Sequence, residues 1–390
     1  MRDSLDLNTL AIRIRKERHV STRNWWIFGA LVAGLIVLTG FLYIAAATSP
    51  DPCEVTLSCQ LYWITLSSLP FLILISSYIL SRRSWRQRRA NAAQYLIELR
   101  SLELPPPIKP QKSSTRILLI VWFIIVFTLP FIFQIDPILL FFIGASPIVV
   151  IYRSVNYWLH SPLSSANYHE ALRRVNVYSQ WLPDALSVQG LIEFMAGYTV
   201  ESERTNRQLL AQMIKSKTFE AFALNNLAYE LILQERYKEA LPLLESAIHI
   251  NPHLASSYDS LAWWYLFQNL DSQRALELAE FGLQLPPRRS LYYQNASRVV
   301  SLATRAWAEA RTGQNERSVA TIKDALKKAS PKNIPYYAST LFTLGEAKIA
   351  LEDISGAREY FRQAAEIDPQ GRFGKMAADT LKQLDDNSLI

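Results

Sequence analysis

"AFALNNLAYELILQERYKEALPLLESAIHINP", residues 221–252, reads as a helix, a turn, a second helix and a closing proline. Its apolar residues recur three and four apart, the spacing that places them on one face of a helix. Small residues stand where two helices would cross closely, and larger apolar residues fill the gaps between them. The same order returns in "ASTLFTLGEAKIALEDISGAREYFRQAAEIDP", residues 338–369. Helix-period segments after residue 165 recur at about 34 residues, a period that marks stacked helical repeats. The expected fold is all-α, with this stack as its soluble part.

These units resemble tetratricopeptide repeats. Leu224, Leu227 and Ala228 match the family's large-large-small trio, and Ala240, Leu244, Ala247 and Pro252 match its second helix and terminal proline. In the last unit Leu341, Leu344, Gly345, Ala357, Phe361, Ala364 and Pro369 match in the same order, with Lys348 where an aromatic is usual. Tyr258, Leu261, Ala262, Tyr265, Ala275, Ala279, Gly282 and Pro287 match once one extra residue is allowed in a turn. A looser unit carries Leu302, Ala306, Gly313, Ile322 and Ala325, with Arg305 and Glu309 in place of apolar residues. The repeats are assigned to 221–370, a degenerate repeat or two to 165–220, and a closing helix and tail to 371–390, as a stack needs a polar cap.

The resemblance implies binding of a peptide or partner protein in a groove lined by the first helix of each unit. By register, Tyr229, Trp263 and Trp307 follow the small residue of three units, and Glu346 takes that place in the fourth. With Phe222, Asn225 and Asp259 they form the expected groove, its rings acting as anchors for an extended or proline-containing segment. Packing of the same rings between helices is the competing reading. A clamp for a terminal carboxylate is disfavoured, because Tyr229 and Trp263 stand where it would want Asn or Lys.

Before residue 153 the chain has a different character. Trp25–Ala47 runs 23 residues without a charge and Leu61–Leu80 runs 20; both are long enough to cross a bilayer core. Ile117–Gln134 and Pro137–Tyr152 form a second apolar pair around Ile135 and Asp136. The fold expected here is two transmembrane hairpins, 25–80 and 117–152, with a basic segment at 1–24 and a basic, proline-rich linker at 81–116. The second pair is alternatively re-entrant. Residues 1–24 hold six Lys/Arg and residues 81–116 hold nine, while the loop at 48–60 holds none. Basic loops stay cytoplasmic, so both termini and the repeats are expected inside and the 48–60 loop outside. That loop, "TSPDPCEVTLSCQ", carries both cysteines, Cys53 and Cys59. An oxidising compartment lets them form a disulfide.

The net charge of +7 belongs to residues 1–152, since residues 153–390 carry 26 basic and 26 acidic residues. Such an excess serves orientation and contact with anionic lipid, and a nucleic-acid partner is not indicated. No phosphate loop, nucleophile elbow or cysteine–histidine pair is present, so no enzyme activity and no cofactor are expected. His249 and His253 have the spacing of a metal pair, but Pro252 lies between them and both are expected in a loop. Two functions follow: a membrane-anchored scaffold or assembly factor binding a partner in the groove, or a transporter-like or sensory membrane protein regulated by its repeats. The apolar spans carry no ionisable residue, which weakens a solute or proton path. A bacterial inner membrane is the expected location, and self-association through repeats or spans stays open.

Overall fold

The computed structural model describes residues 161–179, 185–211, 217–286 and 294–386, together with Leu7, Ala11, Ile12 and Trp158. The apolar runs expected to span a membrane, the basic linker and the Cys53–Cys59 loop lie outside the described residues. Within the described residues no helix is long and apolar enough to cross a membrane. Every helix below belongs to the unit formed by Glu103–Val126 and Asp136–Ile390.

From Tyr168 onward the described residues form twelve α-helices: α1 Tyr168–Ser179, α2 Ala185–Ala196, α3 Thr199–Ala211, α4 Lys217–Leu233, α5 Tyr237–Ile250 and α6 Ala255–Phe267, then α7 Ser272–Gln284, α8 Gln294–Arg311, α9 Asn315–Lys328, α10 Ile334–Ala350, α11 Ile354–Ile367 and α12 Arg372–Asp386. Consecutive helices pack as hairpins: α2 with α3, α4 with α5, α6 with α7, α8 with α9 and α10 with α11. Among the described residues the fold is an all-α solenoid of stacked helix pairs.

What turns each first helix into its second is one backbone device repeated. Gly197, Glu235, Asn269, Gly313 and Glu352 all have positive φ, between 51° and 76°. Each lets the next N–H reach back five residues: Tyr198 to the Glu193 carbonyl, Arg236 to Leu231, Leu270 to Tyr265, Gln314 to Glu309 and Asp353 to Lys348, at 2.8–3.1 Å. This is the left-handed helix terminus that satisfies otherwise orphaned carbonyls. Each of these residues stands seven after a small residue at the helix crossing: Gly190, Ala228, Ala262, Ala306 and Gly345. The register therefore extends to α2–α3, where a Cβ on Gly190 would come within 3.0 Å of the Asn206 side chain. Gly345 is the tightest crossing, since a Cβ there would meet the buried Phe361 ring at 2.5 Å.

Two departures from the repeat pattern are resolved by ion pairing. Arg305 on α8 binds Glu309 at 3.0 Å and the Thr321 hydroxyl of α9 at 3.0 Å, so a charged pair, with one Glu309 oxygen left unbonded, replaces an apolar crossing. Lys348 binds Asp353 at 2.6 Å, and Asp353 in turn accepts the Gly356 N–H at the start of α11. Lys348 is thus tied to the helix cap, and its ammonium is the main reason the Asp353 carboxyl is held below its ordinary range.

Candidate functional site

The first helices stack in a row, α2 on α4, α4 on α6, α6 on α8, α8 on α10 and α10 on α12, and α12 returns to touch α2. Their inner faces therefore converge on one another. At the centre lies Trp263, fully buried, with its ring centroid 5.2 Å from Tyr229, 5.6 Å from Trp307, 6.2 Å from Phe342 and 6.3 Å from Phe373. Phe194 of α2 closes the circuit, 5.1 Å from Tyr229 and 6.3 Å from Phe373. Edge-on rings at these separations attract one another beyond the area they bury.

The residues expected to form the groove divide into two sets. Trp263 and Trp307 are sealed inside, Trp263 donating its indole N–H to the Thr304 hydroxyl at 2.8 Å. Asn225 is 4% exposed. Phe222, Tyr229, Asp259 and Glu346 remain partly exposed. The structure brings all of them to the inner faces of α4, α6, α8 and α10, but fills the middle of that surface with the chain's own rings. Phe194, Phe342 and Phe373 were not predicted as groove residues. Their apolar helical spacing marks them as buried, yet nothing in a single repeat says that a last helix folds back onto an early one.

The closing contact is held by polar groups. Arg372, at the start of α12, donates to both carboxylate oxygens of Glu230 at 2.7 and 2.8 Å and to the Phe194 carbonyl at 2.6 Å. Its guanidinium also lies 4.5 Å from the Phe194 ring centroid. Just before it, Asp368 accepts the Tyr168 hydroxyl at 2.6 Å and the Gly371 N–H at 3.0 Å. Burial raises the Glu230 and Asp368 carboxyls despite these partners, and raises the Tyr168 hydroxyl as well.

Two inner carboxyls have no cation bound to them. Asp259 is pushed up to about 7 by burial, opposed only by the hydroxyls of Thr304 and Ser301. Burial likewise pushes Glu346 up to about 7, with Arg311 pulling the other way. A second concavity of about 860 Å³ opens between α7, α8, α9 and α10. Its cations are committed: Arg298 to the Leu283 and Leu285 carbonyls, Arg305 to Glu309 and Lys328 to Asp324. The histidine pair is split differently from expectation, since His249 sits in the last turn of α5 and only His253 lies beyond it. Among the described residues no cluster of His, Cys, Asp and Glu is arranged to hold a metal ion.

Residues 338–370 match the tetratricopeptide repeat family model. That segment is α10, α11 and the turn after them, the pair with the tightest glycine crossing. A tetratricopeptide repeat protein from Parabacteroides merdae ATCC 43184 is similar at 14% identity and a TM-score of 0.32, over 59% of this chain and 97% of that one. No curated protein matches the chain.

Proposed function

We propose that the protein is a membrane-anchored scaffold whose repeats grip a segment of a partner protein on their inner face. Stacked helix pairs have no chemistry of their own to perform; they present side chains at a fixed spacing along a continuous surface. The observation that carries the reading is the partial exposure of Phe222, Tyr229, Asp259 and Glu346 on the inner row of helices. They surround a sealed aromatic centre that fixes their positions. The repeat-family match over 338–370 supports the same use. The four apolar runs between Trp25 and Tyr152 supply the anchor, and the basic flanks orient it with the repeats inside.

Crosslinked capture of the tagged full-length chain from mild detergent tests the scaffold. A stoichiometric partner whose crosslinks fall on α4, α6, α8 or α10 is the expected result. Crosslinks confined to the apolar runs would move the function into the membrane part. Topology is tested separately: an impermeant thiol reagent is expected to label Cys53 and Cys59 in intact cells only after reduction, and labelling only after lysis would reverse the orientation.

A further inference from the structure

The inner face contains a belt of polar groups for which the fold itself provides too few partners. Tyr229 and Trp263 touch ring to ring, which brings α4 and α6 together at that level. One turn earlier, on the same faces, stand Asn225 and Asp259. Ser256, three residues before Asp259, shares its face. On α8, Thr304 is fixed next to Trp263 by the indole hydrogen bond, and Thr304 and Ser301 lie against Asp259. Asn225, Ser256, Asp259, Ser301 and Thr304 thus run across three neighbouring inner helices, α4, α6 and α8, with the Tyr229 ring at their edge.

Three oxygens in this belt have no hydrogen-bond partner: Asn225 Oδ1, Ser256 Oγ and Asp259 Oδ1. Asn225 is more than nine-tenths buried, and leaving such an acceptor unmade costs about 1–3 kcal/mol. Among the described residues no cation acts on Asp259, which has only the hydroxyls of Thr304 and Ser301 against it. Arg372 is the cation felt by Tyr229, and its guanidinium is already taken by Glu230 and the Phe194 carbonyl. What the belt lacks is therefore a positively charged donor, and the aromatic face of Tyr229 beside it favours the same charge.

We infer that the Asn225–Asp259 belt is the subsite for a lysine or arginine side chain carried by the bound partner segment. This rests on the inner-face reading above and specifies its chemistry. Asp259 supplies the charge, Asn225 and Ser256 supply further acceptors, and the sealed rings behind them keep water from competing.

Random octapeptides displayed on phage, panned against the full-length chain in nanodiscs, test the assignment. Asp259→Asn and Asn225→Leu are panned in parallel, each checked first for an unchanged helical melting transition. Wild type is expected to select peptides sharing a Lys or Arg at one position. That preference should fall at least tenfold in Asp259→Asn, and in Asn225→Leu if the first variant melts early. A selected peptide with its basic residue replaced by norleucine should bind at least tenfold more weakly. Selection of peptides with no basic preference, or a preference unchanged in both variants, overturns the subsite and leaves the groove reading standing. Failure to select any peptide overturns both.

Discussion

The crossings within each helix pair and the seam between the α12 end and the early helices are built on opposite terms. Within a pair the contact is local and largely apolar, as where Gly345 lets Phe361 of the next helix lie against the backbone. At the seam the contact joins residues 142 to 200 positions apart, through Arg372 with Glu230 and Tyr168 with Asp368. An ordinary solenoid is stabilised by nearest neighbours, so its ends are energetically independent. Here the last helix shares rings and an ion pair with early ones, so opening one end exposes the inner rings of the other. The seam also decides access, because Phe373 lies against Trp263 and Phe342 in the middle of the inner face.

Breaking the seam should have the largest effect. Arg372→Ala strands the Glu230 carboxyl, which has no exposed surface, and losing one member of a buried pair costs about 3–5 kcal/mol. Chemical denaturation followed by circular dichroism should show that loss. Replacing both residues, as Arg372→Met with Glu230→Leu, should recover most of it, since a buried pair often gives no net gain over apolar packing. If the double variant is as unstable as the single one, the ion pair is not what holds the seam.

Tightening a local crossing comes next. Gly345→Ala puts a methyl group into the space of a fully buried ring, and such overpacking costs about 1–3 kcal/mol. Differential scanning calorimetry should show a lower melting temperature, with Gly345→Ala plus Phe361→Leu recovering part of it. A smaller effect is expected at the turn. A Cβ on Gly313 meets nothing within 4 Å, but its φ is 75°, so Gly313→Ala should cost only the left-handed strain of about 1–2 kcal/mol. The mirror change, Glu352→Gly, relieves a φ of 60° and should not destabilise. A loss there would mean that the side chain of Glu352 carries a contact outweighing its strain.

The same contrast explains what could be read from the chain beforehand. Pair crossings depend on residues within one period, so Ala228, Ala262, Ala306 and Gly345 declare them one by one. The α2–α3 pair carries the same signal in Gly190 and Gly197, hidden because few of its other positions match the pattern. Seam residues give no such sign. Arg372 and Glu230 each look like ordinary charges of two helices far apart in the chain, and only the accumulated rotation of successive pairs brings them together. For the inner face, register put Tyr229, Trp263, Trp307 and Glu346 at equivalent positions, but gave no sign that Phe342 and Phe373 would lie against Trp263. Charge swaps were half legible: Arg305 and Glu309 stand four apart on one helix, which allows the pair they form.

A last effect probes the inner face by pH. Burial raises Glu346 from its ordinary 4.5 to about 7 in the fold. Between those values the unfolded chain has released its proton while the folded one keeps it, so each step upward in pH favours unfolding. The contribution of Glu346 is fully present below about pH 4.5 and is lost as pH rises through 7. Asp259 acts in the same direction from 3.8 to about 7. Glu346→Gln should therefore match wild type near pH 4.5 and melt higher than it at pH 8, leaving the slope due to Asp259. A constant gap between the two proteins across this range would show that Glu346 is ordinarily solvated, and that the inner face at α10 is open to water.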